Sequence, residues 1–265
     1  MLNSPIASTL PAIKPLPLKF AWPFFAIPAL AFVVSVYWGI PFMVGQGLAE
    51  FTAYVLALLI PLVMLLAAAL AAFRLEGRPL TWAAISDRFR LHPMTGKDWL
   101  WTLTGLVIGV VGMGALLGLG RALVSMGLIP LPGSIPAAID PATPPDLAGF
   151  RGLMGPGATG NWGLVLLTVV LLFFNIIGEE FWWRGYILPR QELTHGRWTW
   201  VIHGVLWMLF HVFKYWDWLG LLPVCLVIAY IAQRRQNTWP GIIIHFLVNG
   251  ITLIPILIVV LGLVN

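Results

Sequence analysis

The sequence predicts an all-α fold, a polytopic transmembrane bundle of seven to eight helices, and three observations predict it. The 265 residues are 60% hydrophobic and 9% charged, whereas a soluble domain is about 45–50% apolar and about 25% charged. A soluble core of this length cannot hide so much apolar surface, because exposed area still grows with chain size. The apolar residues also cluster into runs of membrane-crossing length, and 14 Trp and 15 Phe suit the lipid–water boundary. This composition excludes a disordered chain and an ordinary soluble enzyme.

Lipid offers no partner to open backbone groups, so each long apolar run must be helical. The runs cover residues 20–42, 51–73, 99–119, 162–183, 198–213, 218–232 and 239–264. The first follows Lys14 and Lys19 like a signal peptide, but Pro23, Pro28 and Pro41 interrupt it and no small-residue exit follows, so it reads as a retained span. The third carries Gly105, Gly109, Gly112, Gly114 and Gly118, which allow close helix contact. Pro255 can split the last run in two. Between the second and third runs, Trp82, Ile85 and Phe89 recur at helical spacing and predict a short interfacial helix within residues 74–98. Residues 125–161 are rich in proline and glycine and read as an irregular loop. No repeat divides the chain, so residues 1–265 form one membrane domain.

Strict alternation through seven spans puts twelve of the fifteen Lys and Arg on one face, leaving Arg121, Arg151 and Lys214 on the other. The basic-rich face is cytoplasmic by the positive-inside rule, and the N-terminus lies there. The basic residues form no stripe, so nucleic acid is not an expected partner despite a net charge of +5. The lone cysteine, Cys225, excludes an intramolecular disulfide framework and a cysteine-only metal cage.

Several polar residues interrupt the apolar spans. Glu179 and Glu180 stand together in Asn175-Ile-Ile-Gly-Glu-Glu-Phe-Trp-Trp-Arg184. A charged side chain at the centre of a span costs about 2.5–3.5 kcal/mol on insertion scales, so such residues point to function. Glu180 and Arg184 are i, i+4 in the favourable order and read as an ion pair. Glu179 projects about 100° away, and Trp183 rather than a base occupies its i+4 position. His203 and His211 lie on the fifth span, where His203 reads as a hydrogen-bonded core residue. His245 and Asn249, i, i+4 on the last span, share one helix face. Each taken singly can be polar glue between helices. Together they supply one carboxylate and two imidazoles from three helices, a set suited to holding a metal or to a general base with hydrogen-bond donors.

The order and spacing of these motifs resemble the CAAX-processing and bacteriocin-processing protease family of intramembrane endopeptidases. The Glu pair with a following Arg is matched by Glu179, Glu180 and Arg184. The aromatic residue four before a His is matched by Trp207 and His211, with Trp in place of the usual Phe. The His with Asn four later is matched by His245 and Asn249. The motifs lie within residues 162–253, the expected catalytic core. The resemblance implies an eight-helix fold with a conical polar cavity opening toward the cytoplasm. It implies that Glu179 activates water, that His211 assists, and that His245 and Asn249 hold the oxyanion. It leaves open a divalent metal such as zinc on Glu179, His211 and His245, or a metal-free reaction. A peptide or protein substrate within the bilayer is the implied partner, and a multi-pass protein of a bacterial cell membrane is expected. The alternatives are a non-proteolytic immunity or scaffold protein of the same fold, and a proton-coupled transporter, against which the lack of an internal repeat counts.

Overall fold

The computed structural model describes residues 12–144 and 146–263, and among them all regular structure is helical. The chain opens with α1 (Leu18–Gly45) and α2 (Glu50–Leu75). The short α3 (Trp82–Arg88) leads into α4 (Gly96–Ser125), and α5 (Leu147–Met154) follows. A continuous helical stretch then runs through α6 (residues 162–195), α7 (Thr199–Phe210) and α8 (Trp218–Arg235). The chain ends in α9 (Trp239–Gly250) and α10 (Leu253–Val260).

Among the described residues, five helical stretches are long and apolar enough to cross a membrane. The 74-residue one, Trp162–Arg235, far exceeds a single crossing and folds back twice. His203 Nδ1 lies 2.6 Å from Gln191 Oε1, although twelve residues of straight helix span about 18 Å. The reversal falls at Gly196, whose φ of 55° a glycine adopts without steric cost. The second reversal is the 3₁₀ turn His211–Asp217, where Lys214 leaves helical geometry. The Gln233 side chain then bonds both the Trp200 amide and the Gly196 carbonyl, so α8 lies antiparallel to α7. The 74-residue stretch therefore supplies three helical segments, which with the other four stretches makes seven among the described residues.

The outer faces are apolar: Ile27, Leu30, Met64, Val107, Val111 and Leu166 are exposed. Charged and polar side chains are buried instead, including Glu179, Glu180, Arg184, Gln191 and His203. This inversion is the arrangement that a lipid solvent stabilises. The expected glycine contact forms at three of the five positions, since Gly114 and Gly118 face open space. Gly105, Gly109 and Gly112 of α4 face Ile231, Val224 and Pro223 of α8, and a Cβ on Gly112 would sit 2.8 Å from the proline ring.

Four local expectations need correction or refinement. The fourth span does not stop near Trp183 but continues to His195, because Arg184, which reads as an interfacial cation, is fully buried inside the protein. Glu179 therefore lies mid-helix, about 25 Å from either end at 1.5 Å per residue. Residues 125–161 are not wholly irregular: α5 forms there, with the Asp146 side chain capping the Gly149 amide at 2.8 Å. The last run breaks at residues 251–252, ahead of Pro255. Pro255 then sits in the first turn of α10, where its missing N–H would have had no helical acceptor. The helix expected within 74–98 is α3, and it does more than rest on the interface. Its Arg88 is 1% exposed, pairs with Glu76 at 2.6 Å, and donates to the Gly185 carbonyl of α6 at 2.7 Å.

Further polar ties join this end of the bundle. Arg90 grips Glu192 of α6 through two 2.8 Å bonds, Arg235 pairs with Asp98 at 2.7 Å, and the Thr238 amide donates to the Arg90 carbonyl. Arg88→Ala leaves the Gly185 and Tyr186 carbonyls without their donor and leaves Glu76 only the longer 3.4 Å pair with Arg78. It is expected to cost about 3–5 kcal/mol, the cost of breaking a buried pair, read as a large fall in the thermal midpoint in detergent. An unchanged midpoint would show that α3 does not hold α6.

Candidate active site

Glu179 and Glu180 occupy an α-helical step between two π-helical turns, Phe174–Gly178 and Phe181–Ile187. A π turn widens the helix and resets which side chains share a face, and such turns recur at functional sites. Gly178 makes room for this: a Cβ there would stand 2.9 Å from the Leu62 carbonyl oxygen of α2. The helices consequently approach closely beside the two carboxylates.

Glu179 is 2% exposed, and three N–H donors converge on it. Its Oε1 accepts from the Asn175 amide at 2.8 Å. Its Oε2 accepts from the indoles of Trp207 at 2.7 Å and Trp183 at 3.3 Å. Glu180 points elsewhere, and its Oε1 lies 3.2 Å from Arg184 Nη1 and 2.9 Å from His245 Nδ1. The expected Glu180–Arg184 pair is present and is extended by the histidine. The Arg184 guanidinium also stacks on the Trp207 ring, with Cζ 3.4 Å from its centroid. Gly241 of α9 lets Glu180 fit, since a Cβ there would come 2.7 Å from Glu180 Oε2.

His211 directs Nδ1 at the Trp207 carbonyl, 2.9 Å away. A carbonyl only accepts, so Nδ1 carries the proton and Nε2 is the other working nitrogen of the ring. Asn249 donates to Asn175 Oδ1 at 2.6 Å, and Asn175 in turn donates to Glu179. An amide chain thus links α9 to the carboxylate. Glu179, Trp207, His211, His245 and Asn249 all line one cavity of about 420 Å³. Glu180 and Arg184 lie behind that wall. His203 is elsewhere, buried on Gln191 as a core histidine.

The cavity reaches away from the basic-rich end, toward Ala138, Phe150, Lys214 and Asp217. The charge count assigns that end to the outside, whereas the family resemblance implies a cytoplasmic opening. The two expectations cannot hold together.

A metal on Glu179, His211 and His245 fits this arrangement poorly. Among the described residues, no three His, Cys, Asp or Glu side chains are grouped to hold an ion. Both Glu179 oxygens face N–H donors, whereas His211 and His245 each engage a protein oxygen through Nδ1 alone, which leaves both Nε2 atoms open.

The sequence reasoning assigned no role to Asn175 or to the Trp183 N–H. Both were discoverable, since each stands four residues from Glu179. A search for bases alone overlooks amide and indole donors.

Fold and site together define a multi-pass helical membrane protein with a buried glutamate sharing a cavity with two histidines and an asparagine. Residues 161–251 match the sequence profile of the family described as type II CAAX prenyl endopeptidase Rce1-like. The resemblance to the CAAX-processing and bacteriocin-processing protease family therefore holds over about a third of the chain, the part that carries all three motifs. No curated protein and no solved structure is significantly similar to the chain.

Gly241→Ala drives a methyl group against Glu180 Oε2. We expect it to lower the thermal midpoint in detergent while leaving membrane insertion intact, with Gly250→Ala as a nearby control that meets only the Phe246 ring edge, 3.9 Å away. Equal stability of the two variants would mean that the Glu180 packing is not tight.

Proposed function

We propose that this protein is an intramembrane endopeptidase of the CAAX type, in which Glu179 is the general base. One observation carries the reading: Glu179, His211, His245 and Asn249, from three separated parts of the matched segment, line the same cavity.

Water beside Glu179 gives up a proton to the carboxylate as its oxygen attacks the scissile carbonyl. His211, with Nδ1 fixed on the Trp207 carbonyl, offers Nε2 to the same water. The carbonyl oxygen becomes an oxyanion held by His245 and Asn249. Asn249 has a second N–H beyond the one given to Asn175. His245 donates from Nε2 when its ring is doubly protonated, and the two carboxylates Glu179 and Glu180 together then balance His245 and Arg184. Collapse of the intermediate breaks the C–N bond, and the proton taken up by Glu179 passes to the leaving amine. The apolar cavity wall, with Phe32, Met113, Leu171 and Ile256 among its residues, suits an apolar peptide segment. The donor arrangement leads us to write the reaction without a metal.

Glu179→Gln keeps the shape and loses the proton acceptor. Cleavage of a quenched fluorescent peptide library in proteoliposomes is expected to fall by roughly 10²–10⁴-fold while the variant still inserts and folds. Near-normal turnover would reject Glu179 as the base. EDTA should leave the wild-type rate unchanged, and loss of activity restored by zinc would reinstate a metal.

We further propose that the N-terminus is cytoplasmic, so that the cavity faces the opposite side. On a Cys225→Ala background, an exposed cysteine introduced by Ala142→Cys should react with a membrane-impermeant maleimide added outside intact cells. Labelling only after the membrane is opened would reverse the orientation.

A further inference from the structure

On the lipid side of the bundle, α1 and α2 enclose an apolar groove. It has two connected stretches, of about 340 Å³ and about 430 Å³, that share Ile27, Ala31, Pro61 and Met64. Prolines shape it at both ends. Pro28 has no N–H, so the Phe24 carbonyl one turn back lacks its helical donor. The Trp182 indole of α6 donates to that carbonyl at 3.4 Å and forms part of the groove wall. Pro61 frees the Ala57 carbonyl in the same way, and the Ser35 hydroxyl of α1 donates to it at 2.5 Å, joining α1 to α2 at the far end. No charged side chain lines the groove, and Ile27, Ile60 and Met64 on its walls are exposed.

Cations gather at the near end. Lys19 is exposed and lies one turn before Pro23 on α1. The Arg190 guanidinium of α6 sits at the rim, 5.8 Å from the Phe24 ring and 5.0 Å from the Tyr186 ring, which stacks on Trp182. It is held in place: Nε donates to the Lys14 carbonyl at 3.1 Å, and Nη1 donates to the Tyr186 hydroxyl at 3.0 Å. The Arg190 carbonyl in turn accepts from the Leu16 amide at 2.9 Å. A guanidinium has five N–H donors, so others stay open. Among the described residues, Lys14, Lys19 and Arg190 pair with no carboxylate, whereas Arg88, Arg90 and Arg235 at the same end each do.

Length and charge select the occupant. From Pro23 to Val34 the helix rises about 16 Å at 1.5 Å per residue, close to one leaflet of a hydrocarbon core about 30 Å thick. A peptide crossing the bilayer would outrun the groove. A second copy of this chain would bring the same cations face to face across a two-fold axis. A phospholipid has a chain of leaflet length beneath a phosphate, and an anionic one brings no cation of its own to the two that wait there. We propose that the α1–α2 groove holds one acyl chain of an anionic phospholipid, with the phosphate seated on Lys19 and Arg190. Arginine meets phosphate oxygens through its planar fork of N–H groups, and lysine adds a point charge. The site is independent of the reaction proposed above.

The test is native mass spectrometry of the full chain in detergent, titrated with phosphatidylglycerol, phosphatidylcholine or soluble glycerol phosphate. One phosphatidylglycerol should saturate the protein, with phosphatidylcholine weaker and glycerol phosphate unbound at the same concentration. Lys19→Gln should weaken phosphatidylglycerol binding roughly 5-fold, the effect of one cation beside an anionic lipid, and the double variant with Arg190→Gln roughly 25-fold. Ala31→Leu narrows the groove without changing charge and should also weaken binding. It and Lys19→Gln carry the test if the Arg190 variant fails to fold, since the Lys19 side chain ties no two elements together. Equal retention of the two lipids, or unchanged affinity in both Lys19→Gln and Ala31→Leu, overturns the proposal. Glycerol phosphate bound as tightly as the lipid would show an anion site without a chain, and a dimer mass that excludes lipid would give the groove to a second copy. Either result also overturns it.

Discussion

Two adjacent carboxylates buried at membrane depth set the constraint on which the rest of the site depends. Neighbouring residues on a helix point about 100° apart, so one compensating group cannot serve both. The structure resolves this with two kinds of partner. Glu180 receives formal positive charge from Arg184 and an imidazole from His245. Glu179 receives neutral N–H dipoles from Asn175, Trp183 and Trp207. The difference matters chemically. A carboxylate locked to a guanidinium is a poor base, whereas one held by neutral donors keeps a lone pair for a water proton.

Trp207 joins these two environments. Its N–H serves Glu179, its ring carries the cation that serves Glu180, and its carbonyl orients His211. The His245 ring packs edge-on against it with centroids 5.6 Å apart. The packing of α7 against α6 and α9 is thus inseparable from the positions of the polar groups, and small residues such as Gly178 and Gly241 are part of the same fit.

Much of this was legible in the sequence because hydropathy and i, i+4 spacing are local properties. The seven helical segments follow from run length, the Glu180–Arg184 pair from helical geometry, and the shared face of His245 and Asn249 from the same rule. What escaped depended on tertiary context. Arg184 looks like the end of a span because a lone arginine in lipid is costly, yet burial against Trp207 and Glu180 removes that objection, and α6 runs on for another eleven residues to His195. The α5 helix was hidden by the prolines around it, although Asp146 supplies an ordinary cap. The direction of the cavity lies in the packing of the connections, which charge counting does not address.

The polar ties of the bundle are distributed unevenly along its axis. One end is bound by Arg88 to Glu76, Arg90 to Glu192 and Arg235 to Asp98, each within 2.8 Å. At the cavity end, Lys214 and Asp217 stand 3.7 Å apart on a single turn, and the ties between elements are single hydrogen bonds that each use a backbone group, such as Tyr37 to the Phe213 carbonyl at 3.0 Å and the Ala138 amide to Glu50 at 3.3 Å. Local opening is cheapest where few interactions cross between elements. The two ends are thus fastened by different chemistry: ion pairs between helices clamp the end remote from the cavity, and hydrogen bonds to backbone groups close the end around it.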